Sequence, residues 1–295
     1  MTDHELQAAR RQKWHTDGNP IRTLEHARDF VQSVGLCVTY AQKPAVLAPT
    51  FLGAYLGSDS EVPEWQHAFR HPRSADATEL IVRLLRQRVA YEANVFGGNN
   101  LLLSAEVFPF FYTLTGDRNP KQDVRSAHSE KLSPLAQDAF ASIQRDGPIS
   151  KRRLAEVLGG APSGAALDRA LGELWSRLKI TRVDYNQQEG AFWDVMYRWA
   201  PELVKEGINL SVAEGLSALI SKYLDCVIAA ELSEIEDFFS PMVARSRVRE
   251  AVNALLAARE FSFVTVGRRT LIRLTPPASP AVRPSRARAS SRKPA

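Results

Sequence analysis

RSRVREAVNALLAAREFSFVTVGRRTLIRL, residues 245–274, reads as a helix running straight into a tight β-hairpin. Val248, Val252, Leu255 and Leu256 recur at helical spacing and mark one inward face. Phe261–Val266 and Arg269–Leu274 carry the strand period, and Gly267-Arg268 supplies the bend. Upstream, Val212, Leu216, Leu219, Ile220 and Leu224 make an amphipathic first helix, and a short helix ends at Phe239. Ser233 and Ser246 are the expected N-caps of the second and third helices. Helix, short helix, longer helix and two strands, over 211–275, is the plan of a winged helix-turn-helix, whose third helix lies on nucleic acid.

The same plan occupies 132–200. Ser133-Pro134 opens a helix containing Leu135, Phe140 and Ile143, and Gly147-Pro148 ends it. Ser150 is the expected N-cap of Lys151–Leu158, and Ser163 that of a third helix carrying Leu167, Leu171, Leu174 and Leu178. Lys179–Tyr185 and Ala191–Arg198 read as wing strands around a tip at Asn186–Gly190. A more divergent copy fits 22–114. Thr23 caps a helix from Leu24 to Val34, and Gly35 stops it. Val38–Pro49 reads as an irregular insertion or short strands, Glu79–Arg88 as a helix, and Tyr91–Phe96 and Leu101–Leu103 as strands joined at Gly97–Asn100. Glu5–Trp14 reads as a short exposed helix, and the polar run 115–131 as a linker. The fold class expected is therefore α+β and mostly helical: three tandem winged helix-turn-helix modules in one body. Repeats of this kind have to be recognised before any other assignment.

Composition sets the limits on function. A hydrophobic share of 44% and a charged share of 24% are those of an ordinary soluble globular chain. No apolar run approaches the roughly 18 residues that span a bilayer. The start, Met1-Thr2-Asp3-His4-Glu5, lacks a secretory profile, and two cysteines make no disulfide framework, so a cytoplasmic protein is expected. The net charge of +5 is concentrated at the C-terminus. The segment 276–295 holds Arg283, Arg286, Arg288, Arg292 and Lys293 and no acid. Setting those five aside leaves 33 of the 38 basic residues against 33 acidic ones. The tail is expected to be disordered, and fits either nonspecific phosphate contact or simple solubilisation.

DNA is the partner expected from the position of basic residues. Lys151, Arg152 and Arg153 open the second helix of the middle module, where free N–H groups already favour an anion. Arg245, Arg247 and Arg249 open the third helix of the last module, and Arg268 and Arg269 sit on its wing. The competing reading is a solvated face beside acids such as Glu250. Trp175, Phe192, Trp193, Tyr197 and Trp199 surround the middle wing; stacking on bases is one use for them, and a core beneath the wing is the favoured one. His67 and His71 share i, i+4 spacing but lack the further ligands of a metal site, so neither metal nor cofactor is expected. No G-x-S-x-G and no P-loop occurs.

The segments Glu173-Leu174-Trp175 through Trp199-Ala200-Pro201 and Arg245-Ser246-Arg247-Val248-Arg249-Glu250 through Gly267-Arg268-Arg269 resemble the middle and last modules of the AlkZ/YcaQ-type DNA glycosylases. The resemblance spans roughly residues 22–275 and implies one body of three tandem winged helices. It also implies metal-free excision of alkylated or crosslinked bases, by hydrolysis of the N-glycosidic bond through a Gln-x-Gln or Gln-x-Asp motif in the first module. The corresponding stretch, Val34-Gly35-Leu36-Cys37-Val38-Thr39, holds no glutamine and no carboxylate. The sole Gln-x-Asp of the chain, Gln144-Arg145-Asp146, lies in the second module. Cys37 and Thr39 stand where the catalytic pair would be. A cysteine nucleophile there needs an activating base, for which His26 is nearest in sequence, whereas a lone buried thiol is inert. The expectation is a DNA-binding tandem winged-helix protein related to base-excision glycosylases, with a place in DNA repair; the alternative is a non-enzymatic transcriptional or protein-interaction protein.

Overall fold

The computed structural model describes residues 1–41, 45–58, 73–96, 100–121, 132–160 and 162–276. The expectations for His67 and His71, for Gly97–Asn99 of the first turn, for 122–131 of the linker and for the tail from 277 onward lie outside the described residues.

A single element order recurs three times. The first copy runs through helix α2 (Leu24–Val34), strand β1 (Leu36–Val38), helices α3 (Phe51–Leu56) and α4 (Ser74–Arg86), and strands β2 (Ala90–Asn94) and β3 (Asn100–Ser104). Helix α5 (Phe108–Thr115) follows it. The second runs through α6 (Pro134–Asp146), β4 (Ile149–Ser150), α7 (Lys151–Val157), α8 (Gly164–Trp175), β5 (Ile180–Asn186) and β6 (Gly190–Val195). Helices α9 (Met196–Trp199) and α10 (Pro201–Asn209) lead to the third: α11 (Val212–Val227), α12 (Leu232–Phe239), α13 (Arg245–Ala257), β7 (Phe261–Val266) and β8 (Arg269–Leu274).

The sheets repeat as well. β3 lies between β1 and β2, and β6 lies between β4 and β5. In the third copy the first strand shrinks to one bridge, Ala230 with Ile272 of β8. The turn from third helix to wing repeats to the residue. Arg88, Leu178 and Arg259 each sit two positions before a strand, with φ of 56°, 50° and 60°. After each, the next N–H (Val89, Lys179, Glu260) bonds the carbonyl five residues back, at Leu84, Leu174 and Leu255. This left-handed turn closes the helix by returning its free carbonyls to the chain, and a non-glycine residue there carries a local conformational cost. Two arginines and a leucine held in one unfavourable conformation at the same place are the mark of a common backbone plan.

Caps explain several helix starts. The hydroxyls of Thr23, Ser133, Ser150 and Ser163 each accept the N–H three residues on. Two expected caps are displaced. Glu231, not Ser233, precedes α12 and forms a capping box with Glu234. Helix α13 begins at Arg245 without a side-chain cap, so Ser246 lies inside it. Beyond the stretch Val38–Pro49, where no helix was expected, comes α3, a helix not foreseen, whose six residues are all buried. The wing strand expected to reach Arg198 stops at Val195, because Met196 turns into α9.

The second module keeps its own core, where Trp175 and Trp193 meet edge to face at 5.0 Å. The first and third modules share one continuous core. Helix α5, apolar nearly throughout, is the wedge against which α10 and α11 pack. Glycine permits that approach: a Cβ on Gly207 would stand 2.8 Å from the Pro109 carbonyl oxygen, and one on Gly215 2.8 Å from the Thr113 methyl.

The N-terminal helix α1 (Asp3–Lys13) is docked, contrary to the exposed helix expected. Leu6 enters a small core with Ala229, Val266 and Leu271. Buried Arg10 donates to the carbonyls of Val227 (3.0 Å) and Ala229 (2.5 Å), and Trp14 Nε1 to that of Cys226 (2.9 Å). The C-terminal carbonyls of α11 thus find their donors on α1, which is why one amphipathic helix with a central arginine can leave solvent.

Candidate nucleic-acid interface

Six of the eight basic side chains expected to meet phosphate are engaged with acids. Lys151 pairs with Asp168 at 2.5 Å, Arg152 with Glu189 at 3.4 Å and Glu156 at 3.5 Å, and Arg153 with Glu156 at 2.9 Å. Arg249 grips the buried Glu236 carboxylate through Nε (2.8 Å) and Nη2 (3.2 Å). Arg245 pairs with Asp237, and Arg269 with Asp3 at 2.6 Å and Glu231 at 3.7 Å. Hydrogen bonding to these carboxylates raises the pKa of Arg249 and of Arg269. Arg247 and Arg268 are exposed and carry no ion pair among the described residues. Sequence placed the charges on helix starts and wing; apart from Glu156, which lies on α7 itself, their acidic partners come from other elements, and they cancel much of the field.

A different set of residues converges on a cleft of about 830 Å³. One wall is α4, the third helix of the first module, with Thr78, Glu79, Arg83 and Arg86. The other is the wing of the second module, with Tyr185, Asn186 and Gln187. Thr39, Asn100 and Arg182 lie between them. The local reasons are simple. The apolar side of α4, through Ala77, Leu80, Ile81, Leu84 and Leu85, faces the core, which turns Glu79, Arg83 and Arg86 outward. The β5–β6 hairpin turns through Gly190, at φ 77°, and lifts its tip beside them. Arg86 crosses the seam to Asp184 of β5, bonding Oδ1 from Nε at 2.7 Å. Arg83 has no ion pair among the described residues.

The floor is a buried ion pair between modules. Glu92 on β2 is fully buried, and the Arg182 side chain on β5 keeps 18% of its surface exposed. Nε and Nη2 of Arg182 donate to Oε2 (2.7 Å) and Oε1 (2.6 Å) of Glu92. Burial alone pulls the Arg182 guanidinium pKa down; the facing carboxylate outweighs it, and the net shift is upward. Asn100 Nδ2 lies 3.5 Å from Glu92 Oε1, Thr39 donates to the Asn100 carbonyl at 3.1 Å, and Trp175 Nε1 donates to the Glu92 carbonyl at 3.1 Å.

Of the two residues standing at the expected catalytic place, Thr39 lines this cleft and Cys37 does not. Cys37 is wholly buried, and burial pushes its thiol pKa well up; His26 is exposed on α2. A thiol so placed stays protonated and without a base. Cys226 is equally buried and shifted the same way. Both thiols are expected to resist a disulfide reagent at pH 8 in the native protein and to react together on denaturation; rapid native labelling of Cys37 would restore it as a nucleophile. Gln144 and Asp146 stand away from the cleft, with Asp146 held by Arg145 at 2.7 Å. No group of three or more His, Cys, Asp and Glu gathers as metal ligands among the described residues, and no helix there is long and apolar enough to cross a membrane.

Glu92, Arg182, Arg83 and Arg86 were not singled out by sequence, whereas Asn100 belongs to the turn from Gly97 against which the sequence placed DNA. The i, i+3 spacing of Arg83 and Arg86 on the polar face of α4 was a signal that could have been used. Nothing local marks Glu92 and Arg182, 90 residues apart, as partners.

Comparison with known proteins accords with this architecture. Among solved structures, the DNA glycosylase AlkZ of Streptomyces sahachiroi superposes with a TM-score of 0.60 at 14% identity, over 93% of this chain and 70% of that one. At that identity the likeness is one of fold. No curated protein matches. The model of the family described as DNA glycosylase AlkZ-like matches residues 54–292, about four fifths of the sequence. With three repeated modules behind that match, the chain belongs to the AlkZ-like DNA glycosylase family.

Proposed function

We propose that this protein binds DNA along the cleft between α4 and the β5–β6 wing, as a cytoplasmic participant in DNA repair that needs no resident cofactor. The observation that carries the reading is the meeting of a third helix with a neighbouring wing around Arg83, which has no ion pair among the described residues. These are the two elements with which winged helices hold nucleic acid. Membership of a family described as DNA glycosylases supports the same partner. Arg247 and Arg268 extend the phosphate contacts beyond the cleft. Lys151, Arg152, Arg153, Arg245, Arg249 and Arg269 contribute less each, since a phosphate must first displace a carboxylate.

Titration of a labelled duplex at several salt concentrations tests this. Arg83→Ala and Arg247→Ala are each expected to reduce the salt slope of the affinity by about one. Arg249→Ala, whose charge Glu236 already offsets, is expected to reduce it by clearly less. Failure to bind any duplex at low salt would remove the proposal.

Base excision is a second reading, and one observation favours it. Glu79 lines the cleft with no ion pair among the described residues, whereas Glu92 and Asp184 are committed to arginines. Hydrolysis of an N-glycosidic bond calls for a group that orients or deprotonates water. This reading expects alkali-labile sites in alkylated duplex treated with the protein and none with Glu79→Gln. Intact strands with the unaltered protein reject it.

A further inference from the structure

We infer that the cleft is a receptor for a phosphorylated nucleotide unit carrying a phosphomonoester, the phosphate held by Arg83 and Arg182 and the ring lying beside Tyr185. The inference rests on the proposal that the cleft is the DNA site, and specifies what enters it.

Size comes first. A space of about 830 Å³ falls within the range of small-ligand sites, so the part of a bound DNA that enters it is a single unit or a strand terminus, with any duplex lying outside. Donor chemistry comes second. A guanidinium has five N–H groups. Glu92 takes one from Nε and one from Nη2 of Arg182, which leaves three on a side chain that lines the cleft. Asp184 holds Nε and Nη2 of Arg86 through its Oδ1 alone. Arg83 has all five free of ion pairs among the described residues. The carboxylates of Glu92 and Asp184 therefore orient arginines and offer little to a cation. Glu79 is the one carboxylate of the lining without an ion pair among the described residues; even so, the arginines present more N–H groups than the carboxylates engage, a surplus that suits an acceptor-rich anion. A phosphomonoester, with three terminal oxygens and close to two charges, uses that surplus better than a diester. The remaining lining fits a nucleotide: Tyr185 is 40% exposed beside the cleft, a face available for stacking, and Asn186, Gln187 and Asn100 carry amides that hydrogen bond a base edge.

Glu92 acts through Arg182 and is a positioning residue. Without the carboxylate, the guanidinium loses the two bonds that fix its plane.

The full chain is titrated with a fluorescent 12-nucleotide single strand bearing a 5′-phosphate, its unphosphorylated twin, and a closed dumbbell duplex that has no ends. Deoxyadenosine monophosphate is added as competitor to separate a strand terminus from a free nucleotide. The phosphorylated strand is expected to bind roughly tenfold tighter than its twin, equivalent to about 1.4 kcal/mol. Arg83→Ala is expected to erase that preference while leaving the circular dichroism spectrum and melting temperature unchanged, since the side chain is exposed and has no ion pair among the described residues. Tyr185→Ala is expected to weaken both strands equally. Competition by the mononucleotide in the millimolar range identifies a free nucleotide as an additional ligand; its absence restricts the site to strand ends. Equal affinity for the two strands, or a preference that survives Arg83→Ala, overturns the inference. Dumbbell binding reads the DNA proposal separately: a dumbbell that binds beside strands that do not differ leaves that proposal standing and removes this one.

Discussion

Replacing Glu92 with alanine is expected to destabilise the protein by about 3–5 kcal/mol, the loss that follows when one partner of a buried ion pair is removed. Both carboxylate oxygens are engaged by Arg182, and Glu92 is wholly enclosed. The variant leaves the Arg182 guanidinium without its carboxylate at the seam of two modules. The pair itself adds little net stability, because each ion gave up its hydration to reach that seam. The double variant Glu92→Leu with Arg182→Met is therefore expected to recover most of the lost stability, while DNA affinity stays reduced. Denaturant unfolding of the three proteins measures this. A single variant as stable as the original would mean that the seam is open to solvent and that Glu92 does not organise the cleft.

The second large effect is expected at Tyr223. Its ring stacks on Phe238 at 4.5 Å and meets Phe239 edge on at 5.6 Å, and its hydroxyl donates to the Leu47 carbonyl at 2.9 Å. Leu47 belongs to the first module, and the three aromatic residues to the third, so one side chain ties both modules by packing and by polarity. Tyr223→Ala should cost about 3–5 kcal/mol, for a cavity in a core that cannot collapse around it. Tyr223→Phe should cost about 1–3 kcal/mol, chiefly from a buried carbonyl left without a donor. If the alanine variant alters only the third module's hydrogen exchange, the two modules do not form one cooperative unit, and the shared core has been misread.

The repeat was legible because each module is written in local terms. Hydroxyl residues stand at the N-caps of α2, α6, α7 and α8, the apolar faces recur at helical spacing, and Gly190 and Gly267 mark the wing bends. The misses are equally physical. Helix α3 was lost because all its residues are buried, which erases the polar face that gives a helix its period. Glu231 took the N-cap place from Ser233 because the Glu234 carboxylate reaches back to accept the Glu231 N–H at 2.7 Å, which starts the helix two residues earlier. The docked α1 was read as exposed, since a central arginine looks like a solvent group until the carbonyls of Val227 and Ala229 are brought to it.

Sequence alone determined the module plan, the family it resembles, the absence of the expected glutamine motif, and which helix starts and wing carry positive charge. Those are properties of residues within a few positions of one another, set by hydrogen bonding and burial along a single helix or hairpin. Tertiary structure decided which charges remain available and where a ligand has room. Glu236 meets Arg249, Asp3 meets Arg269, and Glu92 meets Arg182 across 13 to 266 residues of chain, and only folding brings such charges close enough to cancel. The cleft likewise belongs to no module: its walls are the helix of one and the wing of the next, and it exists because their cores hold those surfaces side by side.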